Sequence, residues 1–430
     1  MSFADSLSDI QRRNYRRIAV TSAFCGGFST QIIENNAPVV LYLAMLGAND
    51  SMSMFSTSLS GLANLLLLIP SASLCAWLGL RKTYTLSSCL GFFALMMITF
   101  APWLGNMTKY AVISGVFLYG ISLTIYQSTW YPLLDNILKP AERSRFFTTM
   151  RFIYMIGMAL VLYGLGKFLQ SSPDIRLLQI VFAVAGFALW GRNFCMNRIP
   201  VDPAMHNETP DIRKSLSICL HNQSLTGYAV YLCFFYIAYA AAVPLALVYM
   251  KTSLNMVSGT IMILTSINMA GKIAGFFLLG KFGKYLTSGQ QTVINHLIAL
   301  VAILLLLTAV PAMKGLPIIF GTAFFLLGIV YALINCIAAV EMLSLARPGN
   351  KIMAIAFCMT AIAVGTASGT LLSTALIGCG ALAESWQFMG IMMTKFQILF
   401  GLCALLMFFI MILFPLVPAV IGKRDDYYQP

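Results

Sequence analysis

Charge is scarce in this sequence, and acid scarcest of all. Of 430 residues only 14 are Asp or Glu and 10% are charged, while 59% are hydrophobic; a soluble globular chain carries roughly 25% charged residues. No water-soluble fold could hide that much apolar surface. Histidine is rare, with three in the chain, and the ten cysteines include no C-x-x-C pair. Metal-ligand spacing is therefore missing, and the cysteines inside apolar runs (Cys25, Cys75, Cys89, Cys233, Cys336, Cys358, Cys403) read as small packing residues. H-E-x-x-H, a nucleophile elbow and a Walker loop are also absent, which excludes the hydrolases they mark and direct drive by ATP. Neither an enzyme nor a cofactor is expected. The opening segment from Met1 to Arg17 is polar, without the apolar region and cleavage site of a secretory signal, so the first span is expected to be retained. The net charge of +13 is not gathered on a soluble basic face, and no nucleic-acid partner is expected.

What the chain has in abundance is apolar runs, and its mean hydropathy is +0.84. A bilayer core of roughly 30 Å takes about 20 apolar residues per helix. Runs of that length fall at roughly 18–46, 51–78, 84–104, 110–134, 147–170, 176–194, 226–249, 258–280, 289–312, 316–341, 352–380 and 391–421. They are apolar all round, whereas a membrane β-barrel shows short alternating segments. The expected fold is all-α: a polytopic membrane protein of twelve transmembrane helices in two six-helix bundles.

Lys and Arg are retained on the cytoplasmic side. Counting from a cytoplasmic N-terminus, the inner segments hold Arg12, Arg13, Arg16 and Arg17; Arg81 and Lys82; Lys139, Arg143, Arg145 and Arg151. They continue with Arg192, Arg198, Arg213 and Lys214; Lys281 and Lys284; Arg347 and Lys351; Lys423 and Arg424. The outer segments hold Lys109, Arg176, Lys251 and Lys314. Both termini are expected in the cytoplasm, and the short loops favour a bacterial inner membrane. A polar stretch with Pro200, Pro203 and Pro210 bisects the chain. It separates an N-terminal bundle (1–191) from a C-terminal bundle (227–430) through a cytoplasmic linker (192–226). The halves repeat: Gly79 and Gly283 lie 204 positions apart, and Asp135 and Glu341, each closing a span, lie 206 apart. Parallel six-helix repeats organise the large 6+6 transporters.

The break after the second span reads Gly79-Leu80-Arg81-Lys82, its counterpart reads Gly280-Lys281-Phe282-Gly283-Lys284, and the fifth span is preceded by Glu142-Arg143-Ser144-Arg145-Phe146-Phe147 with Arg151 beyond. In these motifs the chain resembles the major facilitator superfamily over essentially its whole length. The resemblance implies a secondary transporter working by alternating access, with a central site lined by spans 1, 4, 5, 7, 8, 10 and 11. The acid usual in the family's loop is missing from both copies. Val116 to Tyr119 stand where proton-linked members often carry an Arg, and Gly157, Gly164 and Gly166 occur without the proline of the antiporter motif.

Ionisable groups at membrane depth are costly and usually face a cavity or a partner. Gln31, Glu34 and Asn35 share one face of the first span, where Glu34 is either a coupling or substrate acid or the end of a helix kinked by Pro38. The fourth span carries Tyr119, Ser122, Tyr126 and Trp130 on one stripe, with Gln127 and Tyr131 alongside; this suits a hydroxylated solute or an interfacial belt. Tyr231, Phe235 and Tyr239 form a similar stripe that could equally be packing. Thr265, Asn268 and Lys272 align in the eighth span, Tyr331 and Asn335 in the tenth, and Arg151 lies near the start of the fifth. His296 reads as structural. Asp135 and Glu341, with Arg81, Lys82 and Lys284, are expected to latch the cytoplasmic side. The expected function is uptake of a small polar solute, a sugar or carboxylated metabolite, by a monomer in the lipid bilayer using a proton or sodium gradient. The rivals are efflux of apolar compounds and a receptor or lipid-handling role without transport.

Overall fold

A computed structural model of the chain describes residues 7–135, 137–138, 140–171, 174–201, 212–347, 351–388 and 390–413. They are almost entirely helical. Helix α1 (Asp9–Glu34) opens on a capping box in which the Ser8 side chain accepts from the Gln11 amide and the Gln11 side chain accepts from the Ser8 amide. It does not run on to residue 46 as the apolar pattern suggests. Pro38 would drive its ring against the carbonyl of Glu34 four residues back. The chain breaks there, with Asn36 at φ 61°, and restarts as α2 (Ala37–Met45).

After α3 (Asp50–Leu78), Gly79 takes φ 79°, a left-handed conformation that disfavours a side chain, and α4 (Leu80–Phe100) begins in a new direction. A 3-10 turn (Ala101–Met107) leads into α5 (Thr108–Asp135), followed by α6 (Pro140–Ser171) and α7 (Ile175–Asn197). The short amphipathic α8 (Ile212–Leu220) precedes α9 (Gln223–Thr252), α10 (Ser258–Phe282), a 3-10 turn (Gly283–Tyr285), α11 (Ser288–Thr308), α12 (Leu316–Leu345) and α13 (Lys351–Gly378). The sequence places the next span from residue 391. Instead, β1 (Ser385–Phe388) and β2 (Ile391–Thr394) form an antiparallel hairpin in the register Ser385 to Thr394, and α14 (Lys395–Leu413) starts beyond it. Gln397 Oε1 fixes that start by accepting from the Thr394 amide at 2.8 Å and its hydroxyl at 2.6 Å.

Among the described residues ten segments are long and apolar enough to cross a bilayer; one of them, Leu80–Trp130, takes in α4, the 3-10 turn and most of α5. Large side chains such as Phe93, Leu160, Phe187 and Phe277 stand exposed along these helices, as a surface facing lipid requires. The chain is a multi-pass helical membrane protein.

The helices fall into two compact units. The first comprises Met1–Ala48, Leu59–Met158 and Asp174–Pro210; the second comprises Asn49–Ser58, Ala159–Pro173 and Asp211–Pro430. The first unit is tied by Tyr42, whose hydroxyl donates to the Ile98 carbonyl at 3.1 Å and whose ring meets Phe182 edge-on at 5.2 Å. Tyr84 donates to Asn197 Oδ1 at 2.9 Å, joining α4 to α7. In the second unit glycines let helices touch backbone to backbone. Gly271 and Gly328 sit where α10 meets α12, and Gly365 and Gly369 on α13 face the carbonyls of Cys233 and Ile237 on α9. Tyr249 of α9 is the polar pin of this unit: its hydroxyl donates to the Ala309 carbonyl at 2.7 Å and accepts from Gln397 Nε2 at 3.0 Å.

Candidate functional site

Each unit buries a cation against the face of a tyrosine. In the first, Arg192 of α7 is 1% exposed, although its place in the sequence suggested a base of the inner polar segment. Its guanidinium carbon lies 4.0 Å from the centre of the Tyr126 ring on α5. Its Nη2 donates to the hydroxyls of Ser88 at 3.2 Å and Ser87 at 3.4 Å on α4, while its Nε, also buried, meets no acceptor. Room for the side chain comes from α1, where a Cβ added to Gly26 would lie 2.6 Å from the Arg192 Cδ. In the second unit Lys272 of α10, 8% exposed, places Nζ 4.6 Å from the centre of the Tyr331 ring on α12. A desolvated cation over an aromatic face gains about 2 kcal/mol or more. Tyr126 and Tyr331 lie 205 positions apart in the sequence.

The other sequence candidates gather around these pairs unevenly. Tyr119 is buried with its hydroxyl 3.3 Å from Thr30 Oγ1, and Trp130 packs with its ring 5.7 Å from that of Tyr126. Ser122 and Ser87 exchange hydroxyl-to-carbonyl bonds at 2.7 and 2.9 Å, which closes α5 onto α4. Gln127 is half-buried. Glu34 closes α1 at the break and is exposed. Gln31 and Asn35 beside it are buried, the Asn35 amide nitrogen donating to the Gln31 carbonyl at 2.8 Å and to its side-chain oxygen at 3.1 Å. Arg151 is half-buried and stands about three turns inside α6, because that helix starts at Pro140, earlier than the apolar run.

In the second unit Asn268 donates to the Phe324 carbonyl at 2.8 Å and Tyr239 to the Leu327 carbonyl at 3.0 Å, so both join their helices to α12. Asn335 donates to the Tyr331 carbonyl one turn back. His296 is fully buried among aromatic rings, 5.1 Å from Phe235 and 5.7 Å from Tyr231 between centroids. Glu341 is 7% exposed and accepts from the Ser344 hydroxyl at 3.2 Å, while Arg81 and Lys82 are exposed. The side chains of Tyr131, Asp135 and Lys284 lie outside the described residues.

One polar centre had no role in the sequence reading. Lys395, 5% exposed at the head of α14, pairs with Asp50 Oδ2 at 2.9 Å and Glu384 Oε1 at 3.0 Å. It is a charge inside the apolar run that begins at residue 391, and nothing local points to Asp50. A cavity of about 430 Å³ in the second unit is a separate feature, lined mainly by apolar side chains including Ile263, Ile267, Pro317 and Ile318. Among the described residues no cluster of His, Cys, Asp or Glu could hold a metal ion.

This helical arrangement is the fold of the major facilitator superfamily. The nucleoside transporter NupG matches with a TM-score of 0.68 at 14% identity, over 94% of this chain and 98% of that one. A D-xylose-proton symporter matches with a TM-score of 0.72 at 16% identity, over 95% and 98%. The inward-open xylose transporter XylE from E. coli matches with a TM-score of 0.66 at 14% identity, over 92% and 96%. Within that fold the chain belongs to the family described as PUCC protein, which its residues 76–421 match. No curated protein matches it.

Proposed function

We propose that the chain is a secondary transporter of a small polar solute, a sugar or a carboxylated metabolite, working by alternating access as an ion-coupled symporter. The observation that carries this reading is the pair of buried cations, Arg192 and Lys272, set against Tyr126 and Tyr331 in otherwise apolar helices. Ionisable groups inside membrane helices are expensive and mark solute or ion pathways. An aromatic face beside a cation offers stacking and charge to a polar solute. The solved proteins of like fold are named for nucleosides and for xylose with a proton, which is in keeping with a hydroxylated solute and proton coupling.

Twelve spans in a 6+6 arrangement are part of the proposal: the ten apolar segments, the second helix of Leu80–Trp130, and the broken first helix whose arginines lower its hydropathy. So are the bundles at 1–191 and 227–430, the linker between them, cytoplasmic termini and a bacterial inner membrane. Asp135, Glu341, Arg81, Lys82 and Lys284 are proposed to close the cytoplasmic side, and Gln127, Arg151 and Asn335 to line the solute path. Cysteine labelling from each side of the membrane is expected to find the termini, the Arg143 loop and the linker inside. An outer location for any of them breaks the twelve-span reading.

The coupling group is proposed to be Glu34. It is an exposed acid at the C-terminal end of a discontinuous helix, where the helix dipole favours a cation. Uptake of labelled glucose, lactate and succinate into proteoliposomes tests the function, since a receptor binds without accumulation. For a solute that accumulates, Glu34→Gln is expected to abolish gradient-driven accumulation while leaving most downhill exchange. Equal accumulation by the variant and the parent under the same proton or sodium gradient would remove Glu34 from coupling.

A further inference from the structure

We infer that Arg192 is an anion-binding group, and that the site it forms with Tyr126, Ser87 and Ser88 takes the carboxylate of a solute. The inference deepens the transport reading by naming a chemical class for the solute at this site. It starts from a charge imbalance. Arg192 is 1% exposed, and no Asp or Glu among the described residues comes within ion-pairing distance of it. Burying a guanidinium without a counter-ion is costly even after relaxation. Two serine hydroxyls and a tyrosine face offset only part of that. The buried Nε without an acceptor shows the deficit atom by atom. A carboxylate is the complement, because it supplies both a full negative charge and two acceptor oxygens in the plane a guanidinium prefers.

The sequence makes room for this arginine instead of excluding it. Gly26 on α1 leaves space that a Cβ would fill, and consecutive serines on α4 meet the guanidinium without neutralising it. An acid at either serine position would have been a simple structural solution. Ser87, Ser88 and Tyr119 are buried, whereas Tyr126 keeps partial exposure, so displacement of its ring opens the guanidinium to an incoming anion. Trp130, next to the Tyr126 ring, is placed to report that movement.

The test uses the full chain in phosphatidylcholine nanodiscs, with benzoate as the anionic probe, benzamide as its neutral counterpart, and intrinsic tryptophan fluorescence with thermal stability as readouts. The parent is expected to bind benzoate and not benzamide. Arg192→Gln is expected to weaken benzoate at least ~10-fold, the size of a lost charge-assisted hydrogen bond, and Arg192→Lys to retain part of the binding. If the parent ignores benzoate, or Arg192→Gln and Arg192→Lys bind it like the parent, the inference is overturned. It is also overturned if stabilisation depends on Arg192 but comes only from added phosphatidylglycerol, since the anion is then a lipid headgroup. Arg192-dependent benzoate binding in a protein that moves no solute supports the site and sinks the transport reading instead.

Discussion

Lys395→Met is expected to destabilise the protein by about 3 kcal/mol, the low end of what breaking a buried ion pair costs. The substitution keeps the aliphatic stem and removes the charge, so packing at the head of α14 is conserved. What changes is the environment of Asp50. Its side chain is 20% exposed and its carboxylate loses an ammonium at 2.9 Å, which leaves a partly buried anion at the start of α3. The third member of the group matters less. Glu384 is 82% exposed, and Glu384→Gln is expected to cost under about 1 kcal/mol, as exposed ion pairs generally do. A double-mutant cycle isolates the pair: Asp50→Asn and Lys395→Met should each destabilise, and together should cost clearly less than their sum. Additive effects within about 0.5 kcal/mol would mean that Lys395 does not act through Asp50. Thermal unfolding in a mild detergent, followed by ring fluorescence, measures all four proteins.

That pair illustrates what the sequence could and could not disclose. Lys395 stands out in a linear reading because a charge interrupts an apolar run, and local pattern is sufficient to see it. Its partner lies 345 positions away, and no periodicity links them. Arg192 fails the linear reading in the opposite direction. It follows an apolar run and precedes Arg198 and three prolines, so its charge blends into a polar segment. Only the three-dimensional contacts with α1, α4 and α5 show that the helix continues to Asn197 and turns that side chain inward. The apolar runs themselves are legible because a membrane span is defined by its own composition. The break at Asn35 and Asn36 is half legible: Pro38 announces a disturbance, but whether the helix bends or stops depends on the backbone around it. The aromatic stripe of α5 is legible as a stripe. That Tyr126 faces a cation while Tyr119 points to Thr30 is not, since both distances are set by neighbouring helices.

Gly369→Leu is expected to cost about 3 kcal/mol or more and to remove most monodisperse protein from a detergent extract. Gly365 and Gly369 are one helical turn apart on α13, each against a carbonyl of α9, in the small-x-x-x-small spacing that lets two membrane helices approach closely. Because lipid is as apolar as the side chains, such helices are held by packing and by contacts between backbones, with little help from a hydrophobic drive. Even the first carbon of a side chain at residue 369 would collide with the Ile237 carbonyl, and a backbone group cannot swing aside as a flexible side chain can. The helices must therefore separate along their length, which also disturbs the packing of Tyr236 and Tyr239, which flank Ile237 on α9. Gly164→Leu is the control. A Cβ at that position of α6 meets nothing within 4 Å, so the new side chain extends into open space and stability should change by no more than about 0.5 kcal/mol. Equal loss in the two variants would show that any leucine in place of a helical glycine is harmful here. A fully stable Gly369→Leu would show that α9 and α13 are not in backbone contact at this point.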